Sequence, residues 1–180
     1  MSHTVYVAIG SNVHAEQNVA RAARELKRLF PDSRFSSWYR NKAVGFEGDD
    51  FVNGVVGFTT PLPLASVVDQ LHRVEELCGR PRSAPRWAPR SMDLDVLLFD
   101  DTVMAEPNMT LPRPDLLKRP YMLGPLAEIA PDLTHPTAGL TIGELWRRFD
   151  QSSHAMERID SARLTDLPHS GLHPRPEPGR

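Results

Sequence analysis

With 180 residues, a formal net charge of −2 and a single cysteine, the chain has room for one domain with a substantial core. It excludes an intramolecular disulfide framework and a zinc site built from several cysteines, and its slightly acidic balance argues against nucleic acid as a partner, because general nucleic-acid binding depends on a basic surface. No stretch approaches the ~20 consecutive apolar residues of a membrane span, and no basic-then-apolar leader opens the sequence, so no membrane partner is expected and the cytoplasm is the expected compartment.

In chain order, Thr4 to Ile9 reads as a strand closed by Gly10-Ser11-Asn12, a turn or helix-start signal. Val19, Ala22, Ala23, Leu26, Leu29 and Phe30 then recur at helical spacing and predict a helix from about His14 to Phe30, ended by Pro31-Asp32. Arg34 to Arg40 is β-rich and runs into an irregular loop from Asn41 to Asp50. Phe51 to Thr59 alternates, with Val52, Val56 and Phe58 on one face and Phe51, Asn53 and Val55 on the other, so an aromatic ring and an amide share a face. Pro61 and Pro63 mark a turn, and Leu64 to Cys78 forms a second amphipathic helix with Leu64, Val67, Val68, Leu71, Val74 and Cys78 inward, stopped at Gly79.

Next come Arg80, Arg82, Arg86 and Arg90 in one short loop, followed by a strand from Met92 to Phe99. Its alternation places Met92, Leu94, Val96 and Leu98 on a core side and Asp93 and Asp95 on the other, toward an open cleft. Strand, helix, strand, strand, helix, strand is the order of the ferredoxin-like split βαβ unit; the fold class expected is α+β, a ferredoxin-like βαββαβ core with a C-terminal helical extension. That extension covers Asp115 to Ala130, helical in pieces broken at Pro120 and Pro125, and Thr141 to Phe149. Residues 1–150 are expected to form the domain, and 151–180, rich in proline toward the end, a disordered or loosely docked tail.

Chemistry concentrates at Arg86-Trp87-Ala88-Pro89-Arg90-Ser91-Met92-Asp93-Leu94-Asp95. Two carboxylates two residues apart on one strand face repel each other unless a cation or arginines lie between them. A divalent metal beside a polyphosphate, with forked guanidinium groups gripping the phosphates, satisfies both halves of the pattern. Glu75 falls inside the apolar stripe of the second helix, so its carboxylate needs a partner; a structural pair with an arginine and a ligand role both remain open for it.

This stretch, with Gly10-Ser11-Asn12 after the first strand, resembles the signature of the 6-hydroxymethyl-7,8-dihydropterin pyrophosphokinase family, and similar features run from Val5 to about Asp132. The resemblance implies transfer of pyrophosphate from ATP to the pterin hydroxymethyl group in folate biosynthesis, releasing AMP, with Mg²⁺, as a pair of ions, on Asp93 and Asp95. It implies that Arg80 and Arg90 contact the transferring group, catalytically with Asp95. Arg82, Arg86, Trp87, Glu75 and Arg113 would bind ATP, and Phe51, Tyr121 and Asn53 would hold the pterin by stacking and an amide contact. The chain departs from the family pattern at Ala88, where the family has glycine, at Arg113, where it has histidine, and in the Asn41 to Asp50 loop, which lacks prolines flanking Gly45. Two alternatives stay open: a diverged paralogue that binds Mg²⁺ and ATP and acts on another small hydroxylated heterocycle, and a non-catalytic ferredoxin-like binding module, for instance for single-stranded RNA.

Overall fold

The computed structural model describes residues 1–41, 50–79, 91–151, 156–160 and 164. Strand β1 (His3–Ser11) lies at the centre of an antiparallel sheet between β4 (Phe51–Thr60) and β5 (Asp93–Phe99). Beyond β4 lie β2 (Arg34–Phe35) and β3 (Trp38–Asn41), two short pieces of one interrupted strand. The break is bridged by Ser36, whose amide donates to the Val55 carbonyl at 2.8 Å while its hydroxyl accepts the Val55 amide at 2.9 Å, so no buried backbone group is stranded there.

Helices α1 (Ala15–Leu29) and α2 (Leu64–Leu77) return along one face of this sheet. Their apolar stripes, Val19, Ala22 and Leu26 from α1 and Val67, Leu71 and Val74 from α2, pack with Val5, Val7, Ile9, Val52, Val56, Phe58, Leu94 and Val96 into a first core. Each of the larger aliphatic side chains buried there contributes about 1.5–3 kcal/mol, and this is what holds the βαββαβ unit together. Helix α2 ends at Gly79, whose φ of 90° takes the left-handed stop that a side chain would resist.

The opposite face is covered as well. Helices α3 (Pro120–Ile129) and α4 (Ile142–Arg148) close a second core of Tyr6, Ala8, Val55, Leu97, Leu98, Met122, Leu123, Leu126 and Ile142. Two expectations are corrected here. A shift of register between Tyr6 and Val7 puts an extra residue into β5, so Leu98 joins Leu97 in the second core and Phe99 takes the place expected for Leu98 in the first. Pro125 does not break α3. Pro120 opens the helix, where its missing N–H costs nothing, and Pro125 sits inside it, buried among Met122, Leu123 and Leu126; packing of that face offsets the hydrogen bond its ring removes.

Two further elements escaped the periodicity. A hairpin of β6 (Met104–Glu106) and β7 (Met109–Leu111) turns at Pro107-Asn108, and β8 (Glu157–Ile159) pairs with β3 from within the stretch read as tail, burying Ile159 in the first core with Trp38. Among the described residues no helix is long and apolar enough to cross a membrane.

Candidate active site

The first core packs α1 and α2 on one face of the sheet, and on the α3/α4 face the second core stops short of the ends of β1, β4 and β5 that carry Gly10, Asn53 and Asp93. Those three residues form one row across the sheet, since Gly10 pairs with Asn53 on β4 and with Asp93 on β5. In the next row Ala8 pairs with Val55 and with Asp95. Alternation therefore brings both aspartates, the Asn53 amide and Phe51 to the same face, as the sequence pattern requires.

Asn53 is buried at 6% exposure and its Nδ2 donates to Oδ1 of Asn41 on the neighbouring strand. Gly10 gives this row a flat floor: a Cβ there would stand 2.8 Å from Asn53 Oδ1. Tyr121 enters from the first turn of α3, which packs on this face. Burial raises its phenol pKa; Arg119 opposes that shift, while the fields of Asp115, Asp95 and Asp93 add to it. The phenol is thus within electrostatic reach of the acidic pair.

Strand β5 is the edge of the sheet, and around that edge, on the α2 side, opens a cavity of about 790 Å³. Its walls are α2 (Leu64, Val68, His72), the β6–β7 turn (Pro107, Asn108) and, from β5 and the chain that follows β7, Asp95 and Arg113. A volume of that size suits a nucleotide-sized molecule. Asp95 belongs to both places at once, lining the cavity and sharing a strand face with Asn53.

Arg113 is held by its backbone amide, which donates to the Leu97 carbonyl at 3.0 Å. Its guanidinium spans two carboxylates at long range, 3.5 Å to Asp95 and 3.6 Å to Asp115, and its buried Nε has no partner among the described residues. Glu75, read from sequence as a buried carboxylate in need of a partner, has one in the backbone: its Oε2 accepts the Leu94 amide at 3.0 Å. That bond fastens the peptide between Asp93 and Asp95 to α2. His72, one turn earlier on the cavity wall, stands 4.0 Å from the other Glu75 oxygen.

The donor set at the acidic pair is two carboxylates on one edge strand, and among the described residues no group of three or more histidine, cysteine, aspartate or glutamate side chains converges. Hard oxygen donors in that number suit Mg²⁺, which binds through one or two carboxylates and completes its shell with water and phosphate oxygens. The residues present fit the ion.

Of the residues singled out by sequence, Asp93 and Asp95 lie on the edge strand β5, Phe51 and Asn53 on β4 beyond β1, Tyr121 on α3, Glu75 on α2 and Arg113 just after β7. Arg80, Arg82, Arg86, Trp87 and Arg90 lie outside the described residues. Sequence reasoning missed Asn41, the steric role of Gly10, and the cavity wall built by the β6–β7 hairpin. The hairpin alone left a signal, Pro107-Asn108 flanked by short apolar runs. Sequence reasoning named Ser11 in the Gly10-Ser11-Asn12 turn but not its role as a tether: Ser11 is fully buried, and its hydroxyl donates to the Ser91 carbonyl at 2.6 Å and ties the end of β1 to the approach of β5.

Comparison with known proteins shows the family and the fold. The profile of the 7,8-dihydro-6-hydroxymethylpterin-pyrophosphokinase (HPPK) family matches residues 6–131. The 2-amino-4-hydroxy-6-hydroxymethyldihydropteridine pyrophosphokinase of Synechocystis is 35% identical over 151 residues, 82% of this chain and 77% of the relative. The protein of the same name from Haemophilus influenzae is 32% identical over 161 residues, 87% of this chain and 98% of the relative. Among solved structures, the HPPK-DHPS protein of Plasmodium falciparum with pterin and p-hydroxybenzoate superposes with a TM-score of 0.65 at 14% identity, covering 82% of this chain. The chain spans 43% of that larger protein, and at this identity the likeness is one of fold.

Proposed function

The chain belongs to the 7,8-dihydro-6-hydroxymethylpterin-pyrophosphokinase family, ATP-dependent diphosphotransferases of folate biosynthesis, and we propose that its reaction runs around the β5 edge, with ATP in the α2-side cavity and the pterin on the Gly10–Asn53 floor. The single observation that carries this reading is the position of Asp95, which lines the cavity and shares a strand face with Asn53. A group passing from one side to the other passes that carboxylate.

Asp93 and Asp95 would hold Mg²⁺, as a pair of ions. When bound there, the metal neutralises phosphate charge and stabilises the attacking and leaving oxygens of the transfer. The residues supply position. Glu75 fixes the backbone between the two ligands through the Leu94 amide, and would contribute to ATP binding from that position on α2. Arg113, loosely paired at 3.5 and 3.6 Å, keeps donors to spare for a phosphate oxygen, and Arg82, Arg86 and Trp87 would add to ATP binding. Arg80 and Arg90 would stabilise the transferring group, since a permanently charged fork matches phosphate oxygens.

On the acceptor side, Phe51 and Tyr121 would stack the flat ring while Asn53 reads its edge. The hydroxymethyl group then attacks the β-phosphorus, and AMP leaves on the cavity side. The enzyme would work in the cytoplasm.

The test is Asp95→Ala. Because Asp95 leaves the first core untouched, the variant should keep the wild-type melting temperature. It should lose more activity than the about 10–100-fold typical of removing an outer-shell partner of a metal, and in the presence of an unreactive ATP analogue it should lose bound Mn²⁺ by electron paramagnetic resonance. Wild-type Mn²⁺ binding in Asp95→Ala removes Asp95 from the metal site.

A further inference from the structure

The amide pair beneath the acceptor site has a polarity. Asn53 Nδ2 donates to Asn41 Oδ1, which leaves Asn53 Oδ1 on the Gly10 side, where a Cβ would come within 2.8 Å of it. Among the described residues no other hydrogen bond of the Asn53 side chain chooses between the two ends of its amide, whose shapes are nearly the same but whose hydrogen-bonding characters are opposite. Asn41 comes from another strand, in register with Phe51, and it is only half-buried, so the bond is not needed to satisfy Asn41 itself.

We infer that Asn41 is a specificity-determining positioning residue: by accepting from Asn53 Nδ2 it fixes the Asn53 amide with its carbonyl over Gly10, and so decides which pattern of donors and acceptors the floor offers to a heterocycle. Held this way, Asn53 presents an acceptor beside its remaining N–H donor. The complementary ligand edge carries a donor next to an acceptor, as a fused aminopyrimidinone ring does. If the amide were free to turn, the same pocket would offer the reversed pattern in part of the population, and the matching ring would bind correspondingly less well. This inference rests on the placement of the pterin proposed above.

The experiment measures pterin KM, kcat and ATP KM, with pterin affinity by fluorescence titration in the presence of an unreactive ATP analogue, for Asn41→Ala, Asn41→Asp and Asn53→Ala. Asn41→Ala should raise pterin KM and Kd about tenfold, the worth of one well-placed hydrogen bond. Its ATP KM and melting temperature should stay near wild type, a split that a merely structural residue would not produce. Asn41→Asp keeps an acceptor for Nδ2 and should recover most of the loss. Pterin affinity within twofold of wild type in Asn41→Ala overturns the inference, as does equal loss in Asn41→Ala and Asn41→Asp, because the acceptor would then not be what matters. Asn53→Ala separates the two levels. If it binds pterin normally, the acceptor-site placement itself fails; if it binds poorly while Asn41→Ala does not, only the role of Asn41 fails.

Discussion

Gly10→Ala places one methyl group at the point where β1 passes under the Asn53 amide, and its consequences follow from a single distance. The new Cβ would stand 2.8 Å from Asn53 Oδ1, well inside van der Waals contact, and Gly10 has no positive φ, so the cost comes from this contact and not from backbone strain. Asn53 cannot swing away freely: it is 6% exposed and its other end is bonded to Asn41. Overpacking of this kind costs about 1–3 kcal/mol, and loss of the Asn41 bond adds about 1 kcal/mol. A total of about 3 kcal/mol corresponds to a melting temperature lower by about 6–12 °C for a chain of this size. Urea denaturation with parallel kinetics checks both parts, with pterin KM expected to rise and ATP KM to change little. The decisive comparison is Gly10→Ala made in an Asn53→Ala background, where the clash has no partner and the methyl group should cost less than about 1 kcal/mol. Equal costs in the two backgrounds would refute the reasoning.

Glu75→Ala should destabilise the fold by about 1–3 kcal/mol, because it strands the Leu94 amide at a buried site, and it should weaken Mn²⁺ binding by loosening the backbone between Asp93 and Asp95. Glu75→Gln keeps an acceptor and should recover most of the stability in chemical denaturation; identical losses in both variants would show that the bond to Leu94 is not the reason. His135 gives a pH dependence. It is buried at 2% exposure, its Nδ1 accepts the amides of Thr137 at 3.2 Å and Ala138 at 3.0 Å, and burial lowers its pKa below the ordinary 6.5. Above that value the ring is neutral whether folded or unfolded; below it the unfolded chain takes up a proton that the fold refuses, so stability falls as the pH drops from about 6.5 toward the lowered folded value. His135→Asn, which retains an acceptor, should flatten that part of the urea midpoint against pH, and an unchanged slope would assign the acid sensitivity elsewhere. Arg113→Met removes the cation between Asp95 and Asp115 and should raise ATP KM about tenfold or more, the worth of a charged hydrogen bond, with pterin KM little changed in the same steady-state assay.

The βαββαβ core was legible because each of its elements carries an unambiguous period. The Val52, Val56, Phe58 and Leu64, Val67, Leu71, Val74 patterns each fit one geometry, and all of these side chains point into or border the first core. Where the sequence misled, a local irregularity had no one-dimensional signature. Leu98 changes faces because β5 accommodates an extra residue opposite β1, and alternation counted along one strand is blind to its neighbour. Pro125 was expected to end a helix, yet burial of its flanking residues outweighs one lost bond. At the candidate site, the residues proposed to carry the chemistry, Asp93, Asp95, Asn53 and Arg113, stood out because their types are out of place on a strand or in a cluster. Asn41, Gly10 and Ser11 act through distance to another strand, and a polar residue at a strand end or a glycine before a turn reads as ordinary until the register is known.

Product identity is the most direct measurement. Given ATP, Mg²⁺ and 6-hydroxymethyl-7,8-dihydropterin, the protein should form AMP and pterin diphosphate in equal amounts, with no AMP when the pterin is left out. Formation of ADP, or AMP no higher than in the pterin-free control, would contradict pyrophosphoryl transfer around the β5 edge.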